Sequence, residues 1–277
     1  MRILPLLLYT AAAAAYIVHF AGRHPRAGRA ATLLLAAATL DHTFHIGMQR
    51  MQVGYMPFVG TSAAVSFFVW LLAVVYLYTE LSTEERAMGA FVTPLLVILM
   101  LIPTLDAPVL GERPEVLRSP LFTLHVASLL FAYASFALAC MIGVTYVLLF
   151  KEIKAKHLGY FYARLPSLHV LDAMNMRAVT VGWTFLTAGI IIGGLWALQA
   201  DFRASPDPRA QAMTVLDPKI LVALVCWGLY SFLLVARRAI GWGARRTAWL
   251  SAVGFAIVLM NFLPVGYFLT RSHDFNL

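Results

Sequence analysis

The chain has 277 residues, of which 61% are hydrophobic and only 12% charged, and its mean hydropathy is +0.79. A soluble globule of this size carries about twice that share of charge, so a large soluble domain is excluded and membrane-spanning helices of about 20 apolar residues become the natural unit. The net charge of +8 would suit a nucleic-acid partner, but the basic residues alternate from loop to loop, which marks membrane topology, and no nucleic acid is expected.

Eight apolar segments are expected to be helices, at roughly 3–20, 31–49, 60–79, 88–103, 120–150, 178–199, 218–237 and 247–270. Together they use most of the chain. Residues 1–277 therefore read as one all-α, polytopic membrane domain in the lipid bilayer, because open strands cannot satisfy their backbone groups there. In the first segment Arg2, an apolar run and "TAAAAAY" imitate a signal peptide. The run continues through Phe20, longer than the usual signal core, and retention is expected. His19 closes this helix near a basic loop and is given no role.

The second segment carries "TLDHTFHIGMQ". His42 and His45 are three residues apart, hence neighbours on one helix face. Asp41 beside them is unfavourable in an apolar segment unless partnered, and it is a candidate to fix a histidine tautomer. The pair suits a metal, one of them suits a haem iron, and a polar patch bonded to neighbouring helices accounts for either residue taken singly.

Alternate loops are basic. The first holds Arg23, Arg26 and Arg29. A later one holds Lys151, Lys154, Lys156, Arg164 and Arg177, and the last Arg237, Arg238, Arg245 and Arg246. Counting the short acidic loop at 80–87, this side has 13 of the 21 Lys and Arg residues, and the positive-inside rule puts it in the cytoplasm. Both termini and the loops at 104–119 and 200–217 are then external. His24, His157 and His169 fall in cytoplasmic loops and read as surface residues. Residues 151–178 alternate basic and aromatic side chains and read as an amphipathic segment at the membrane surface.

The fifth segment opens with "SPLFTLHVASLL". His125 lies five residues inside it, about 7–8 Å along the axis from the external end. An ionisable residue at that depth is a candidate functional site; a neutral ring bonded to a nearby carbonyl accounts for it equally well. The sixth segment ends in "GIIIGGLWALQADF", showing Trp196 to the external loop. The seventh starts with Asp217 as a helix cap and Pro218 as first helical residue. Lys219 in that first turn opposes the helix dipole, so packing alone does not explain it. His273 follows the last segment on the same external side.

Two imidazoles from different helices, an apolar wall and an aromatic between them are what a haem iron and its porphyrin need. Lys219 or Arg203 would pair with the propionates. Cys140 and Cys226 lie inside helices with no CxxC spacing and read as small buried hydrophobes. No HExxH, nucleophile elbow or phosphate loop is present. "GGLWALQ" ends a helix, whereas phosphate binding uses a helix start.

"LDAMNMRAVTVGWTFLTAGIIIGGLWA" followed by "DPKILVALVCWGLY" is similar to the core of the cytochrome c assembly family, the CcsA/CcmC/HemX-type haem-handling membrane proteins. "LHVASLLFAYASFALA" resembles the helix before that core, and "RSHDF" the family's ending. The likeness covers roughly residues 57–277 and is strongest over 172–230; eight helices suit the CcsA/HemX branch. The resemblance implies that haem, as non-covalent haem b, is handled at the external face beneath a tryptophan-rich loop of the WWD type, here about 196–219. It implies His125 and His273 as iron ligands, with Trp196, Asp217, Pro218 and Lys219 as parts of the loop motif. It also implies a CcsB/ResB-type membrane partner, presentation of haem to apocytochrome c, at most a share in a haem-attachment complex as enzyme activity, and the bacterial inner membrane. The sequence departs from the family pattern in one place: between Trp196 and "DPK" there is no further tryptophan. Two other readings stand beside this one. A b-type electron-transfer cytochrome would use His42 or His45 with His125, and a haem-free HemX-like regulator or transporter would use none of them.

Overall fold

The computed structural model describes residues 3–22, 24–57, 60–106, 119–156, 159, 162–199 and 218–260. They form eight α-helices: α1 (Ile3–Gly22), α2 (Pro25–Val53), α3 (Thr61–Thr83), α4 (Gly89–Leu105), α5 (Pro120–Lys154), α6 (Leu168–Gln199), α7 (Pro218–Arg238) and α8 (Ala244–Met260). No strand occurs among the described residues. Five helices, α1, α3, α5, α6 and α7, are long and apolar enough to cross a membrane, and α4 is a shorter apolar helix. The all-α membrane fold expected from composition is the observed one.

Local chemistry starts and stops these helices where it should. Ser119 caps α5, its Oγ accepting a hydrogen bond from the Phe122 amide at 3.1 Å, with Pro120 in the first helical position. Helix α2 also opens on a proline, Pro25, and ends at Gly54, whose φ of 78° is the left-handed turn glycine takes without strain.

Two helix starts differ from the sequence reading. Helix α2 begins at Pro25, not near 31, and α6 begins at Leu168, not near 178. Residues 151–178 are thus not a continuous surface segment: both its ends belong to helices. In α6 the polar residues that read as loop are paired. Asp172 accepts a hydrogen bond from Arg237, Arg177 donates to the Ser82 carbonyl at 2.6 Å, and Asn175 donates to the Ala139 carbonyl at 2.7 Å while accepting from Ser251 at 3.0 Å. Leu171 and Met174 between them are buried. Helix α3 likewise runs past the expected loop, so Glu80 lies inside it. The Glu80 carboxylate accepts hydrogen bonds from Tyr16 at 2.6 Å and Thr32 at 2.5 Å, with Arg86 at 3.8 Å. The last helix is described to Met260; the rest of the expected segment lies outside the described residues.

These contacts gather the basic connections at one end of the bundle. Arg164 reaches the Ala21 carbonyl at 3.1 Å, Arg86 the Thr32 hydroxyl at 3.1 Å, and Arg177 and Arg237 bind as above. Through them the α1–α2, α3–α4, α5–α6 and α7–α8 turns are neighbours. The opposite end carries the start of α3, joined to the end of α4 by Ser62 donating to the Asp106 carbonyl, together with the start of α5 and the end of α6. Helix α5 is the central element, packed on α3, α4, α6 and α8, whereas α1 packs on α2 and α4.

Helices α5 and α6 make the tightest seam. Asn175, Gly182, Gly189 and Gly193 line one face of α6. A Cβ at Gly182 would meet the Phe136 ring at 2.5 Å, one at Gly189 the Leu129 Cδ2 at 2.8 Å, and one at Gly193 the His125 ring at 2.4 Å. Small residues spaced four apart let apolar helices approach closely in lipid, where dispersion replaces the hydrophobic effect as the driving force.

Candidate functional site

At the end opposite the basic turns, this seam positions His125. The Nδ1 atom of His125 lies 2.8 Å from the Gly189 carbonyl oxygen. A carbonyl only accepts, so in the neutral ring Nδ1 carries the hydrogen and Nε2 the lone pair. Gly193 allows this: its missing Cβ is the space the imidazole occupies. One turn from Gly193, Trp196 lies with its ring 6.3 Å from that of His125 and tilted by only 20°. Phe122, a turn before His125, packs on Trp196 with ring centroids 5.0 Å apart. Trp196 and Phe122 are buried, and His125 is half-buried. The arrangement is a histidine whose ring plane, tautomer and depth are all fixed by its neighbours. Orienting a metal-ligating imidazole through its second nitrogen to a backbone carbonyl is how such ligands are usually held.

His42 has a different setting. It is 0% exposed, with Tyr9 of α1 3.2 Å from its Nδ1 and Ser66 of α3 2.9 Å from its Nε2. The Tyr9 ring meets it edge-on at 5.9 Å. Both nitrogens are held within the protein, and the residue pins three helices together. Asp41 does not bond His42; its Oδ2 is buried without a hydrogen-bond partner among the described residues. His45 stands one turn further on α2 and is half-buried. The structure does not bring this group to His125: His42 sits among α1, α2 and α3, His125 between α5 and α6. Among the described residues no cluster of three His, Cys, Asp or Glu side chains is arranged to hold a metal ion.

Lys219 lies half-buried in the first turn of α7. His273, Asp217, Arg203, His157 and most of the 196–219 loop lie outside the described residues. Of the remaining histidines, His19 binds the His24 carbonyl at 3.0 Å across the α1–α2 turn, and His169 is in the first turn of α6. The sequence reading overlooked Gly189 and Gly193, although their GxxxG spacing, directly before Trp196, was the signal for a close helix contact there.

Comparison with known proteins adds to this geometry. Residues 59–273 match the family described as Cytochrome C assembly protein. A protein from Guillardia theta named Cytochrome c biogenesis protein CcsA is 26% identical over 261 residues, covering 87% of this chain and 83% of its own length. Proteins of the same name from Trieres chinensis and Prochlorococcus marinus (strain MIT 9303) are 26% and 24% identical, covering 84% and 88% of this chain and 81% and 83% of their own.

Proposed function

The chain belongs to the cytochrome c assembly protein family, and from that membership we propose that this multi-pass membrane protein holds haem for cytochrome c biogenesis, with His125 as one iron ligand. The observation that carries the reading is the His125–Gly189 hydrogen bond. It leaves Nε2 as the lone-pair nitrogen, which is the form a ferric or ferrous iron takes up. Trp196 supplies an aromatic wall parallel to the imidazole, and the apolar seam beneath excludes water.

In this reading His273 is the second ligand, and Asp217 and Lys219 belong to the loop that borders the porphyrin, Lys219 facing a propionate. Haem held there supplies the vinyl groups that become thioether links in a cytochrome c. The chain's own residues bind and orient it. The partners are apocytochrome c and a CcsB/ResB-type membrane protein, and the basic end faces the cytoplasm of a bacterium. His42 has the setting of a helix-pinning residue, which disfavours a b-type cytochrome built on His42 and His125.

The test is an absorption spectrum of the purified protein after growth with excess haem precursor. A Soret band is expected, lost in His125→Ala and weakened in His273→Ala. A protein without the band even after added haem, or with an unchanged band in both variants, contradicts the proposal. A haem that passes to added apocytochrome c supports a biogenesis role; one that stays bound and cycles rapidly with a quinol analogue supports electron transfer instead.

A further inference from the structure

The basic end of the bundle carries a second feature, independent of the haem reading. Four of the arginines at this end staple turns together: Arg86, Arg164, Arg177 and Arg237 each bind a hydroxyl, carbonyl or carboxylate. Arg245 and Arg246, in the first turn of α8, do not. The Arg245 guanidinium lies 5.0 Å above the Phe150 ring and that of Arg246 5.8 Å above the Trp242 ring. Among the described residues neither has an acid or carbonyl partner. Stacking on an aromatic face fixes a guanidinium without using its N–H donors. Both forks of donors line one groove, with no acid among the described residues to meet them.

Below them a groove of about 750 Å³ opens, lined by both arginines, Trp242, Trp249 and Val253. Trp249 is 49% exposed and Val253 47%. Down α8 the chemistry runs from charge at 245–246, to an aromatic ring one turn deeper, to aliphatic carbon one turn deeper again. Seven residues separate Arg246 from Val253, about 10 Å along the axis. That gradient matches an amphiphile lying along the helix and not a free anion, which would gain nothing from Trp249 or Val253.

We propose that this groove binds an anionic phospholipid, its phosphate held by Arg245 and Arg246 and an acyl chain lying along Trp249 and Val253. Basic pockets at the membrane surface select anionic headgroups through charge, while tryptophan sits well at the boundary between headgroup and chain.

Native mass spectrometry of the full-length protein in a neutral detergent tests this, with phosphatidylglycerol, phosphatidylcholine of the same chains, or inorganic phosphate added in turn. Phosphatidylglycerol should be retained in preference to phosphatidylcholine. The double variant Arg245→Gln/Arg246→Gln should lower that retention roughly thirtyfold, because both charges that hold the headgroup are removed at once. Arg26→Gln, a basic residue at the same end outside the groove, should leave it unchanged. Equal retention of the two lipids by the wild-type protein overturns the proposal without recourse to any variant. So does a double variant that holds phosphatidylglycerol as well as the wild type, or displacement of the lipid by inorganic phosphate at comparable concentration, which would mark a site for free anions.

Discussion

Two histidines of this chain, His42 and His125, stand in contrasting environments. Each lies in the half of its helix away from the basic end, and each is an ionisable group in an apolar setting. His42 is sealed, with Tyr9 and Ser66 on its two nitrogens and no exposed surface. His125 is anchored through one nitrogen to a backbone carbonyl, half-buried, and stacked beside a tryptophan at a helix end. A ring bonded on both sides by hydroxyls serves helix packing. A ring oriented through Nδ1 carries its lone pair on Nε2, which on the haem reading would be the ligand atom.

The largest effect separates the two sites outright. His125→Ala should abolish bound haem while leaving the fold intact, because the residue lies at a helix end against a glycine; His42→Ala should keep the Soret band. Spectra of both variants, normalised to protein, check this. Gly193→Ala should come next. Its methyl group would sit where the His125 ring now lies, displacing Nδ1 from the Gly189 carbonyl, and loss of such an orienting bond lowers metal affinity by about 10–100-fold. A haem titration reads it directly.

His42→Ala should appear in thermal unfolding and not in haem content. It leaves the Tyr9 and Ser66 hydroxyls without their partner in a dry interior, an effect of about 1–3 kcal/mol for each group stranded. Trp196→Ala should be the mildest at the haem site. An aromatic pair contributes about 0.5–1.5 kcal/mol beyond its buried area, so haem affinity should fall about tenfold or less, with a shifted band. A Trp196→Ala variant that lost haem as completely as His125→Ala would mean that the tryptophan does more than wall the site.

Much of this was legible in the sequence. The eight helices follow from apolar runs of membrane-spanning length, and the alternating basic loops match the gathering of arginines at one end. His125 stood out by its depth inside the fifth segment, which begins at Pro120 in the structure as expected. What escaped was set by partners far away in the chain. The start of α6 was hidden because Asp172, Asn175 and Arg177 look like loop residues until Arg237, Ala139, Ser251 and Ser82 are placed against them. Asp41 stood beside the histidines as a candidate to fix a tautomer, whereas the partners of His42 are Tyr9 and Ser66, 33 and 24 residues distant. Adjacent residues on a helix point apart; only packing between helices decides which nitrogen meets which oxygen. His273 and Asp217 were named from the sequence and lie outside the described residues.

The central claim is that His125 offers Nε2 to haem iron. The most direct measurement is the absorption spectrum of haem-supplemented His125→Gly protein with and without added imidazole. The account predicts that the Soret band of the wild-type protein is lost in the variant and returns when imidazole fills the vacated space beside Gly193. A variant that keeps the wild-type spectrum without imidazole, while His42→Ala loses it, would contradict the account and move the ligand to α2.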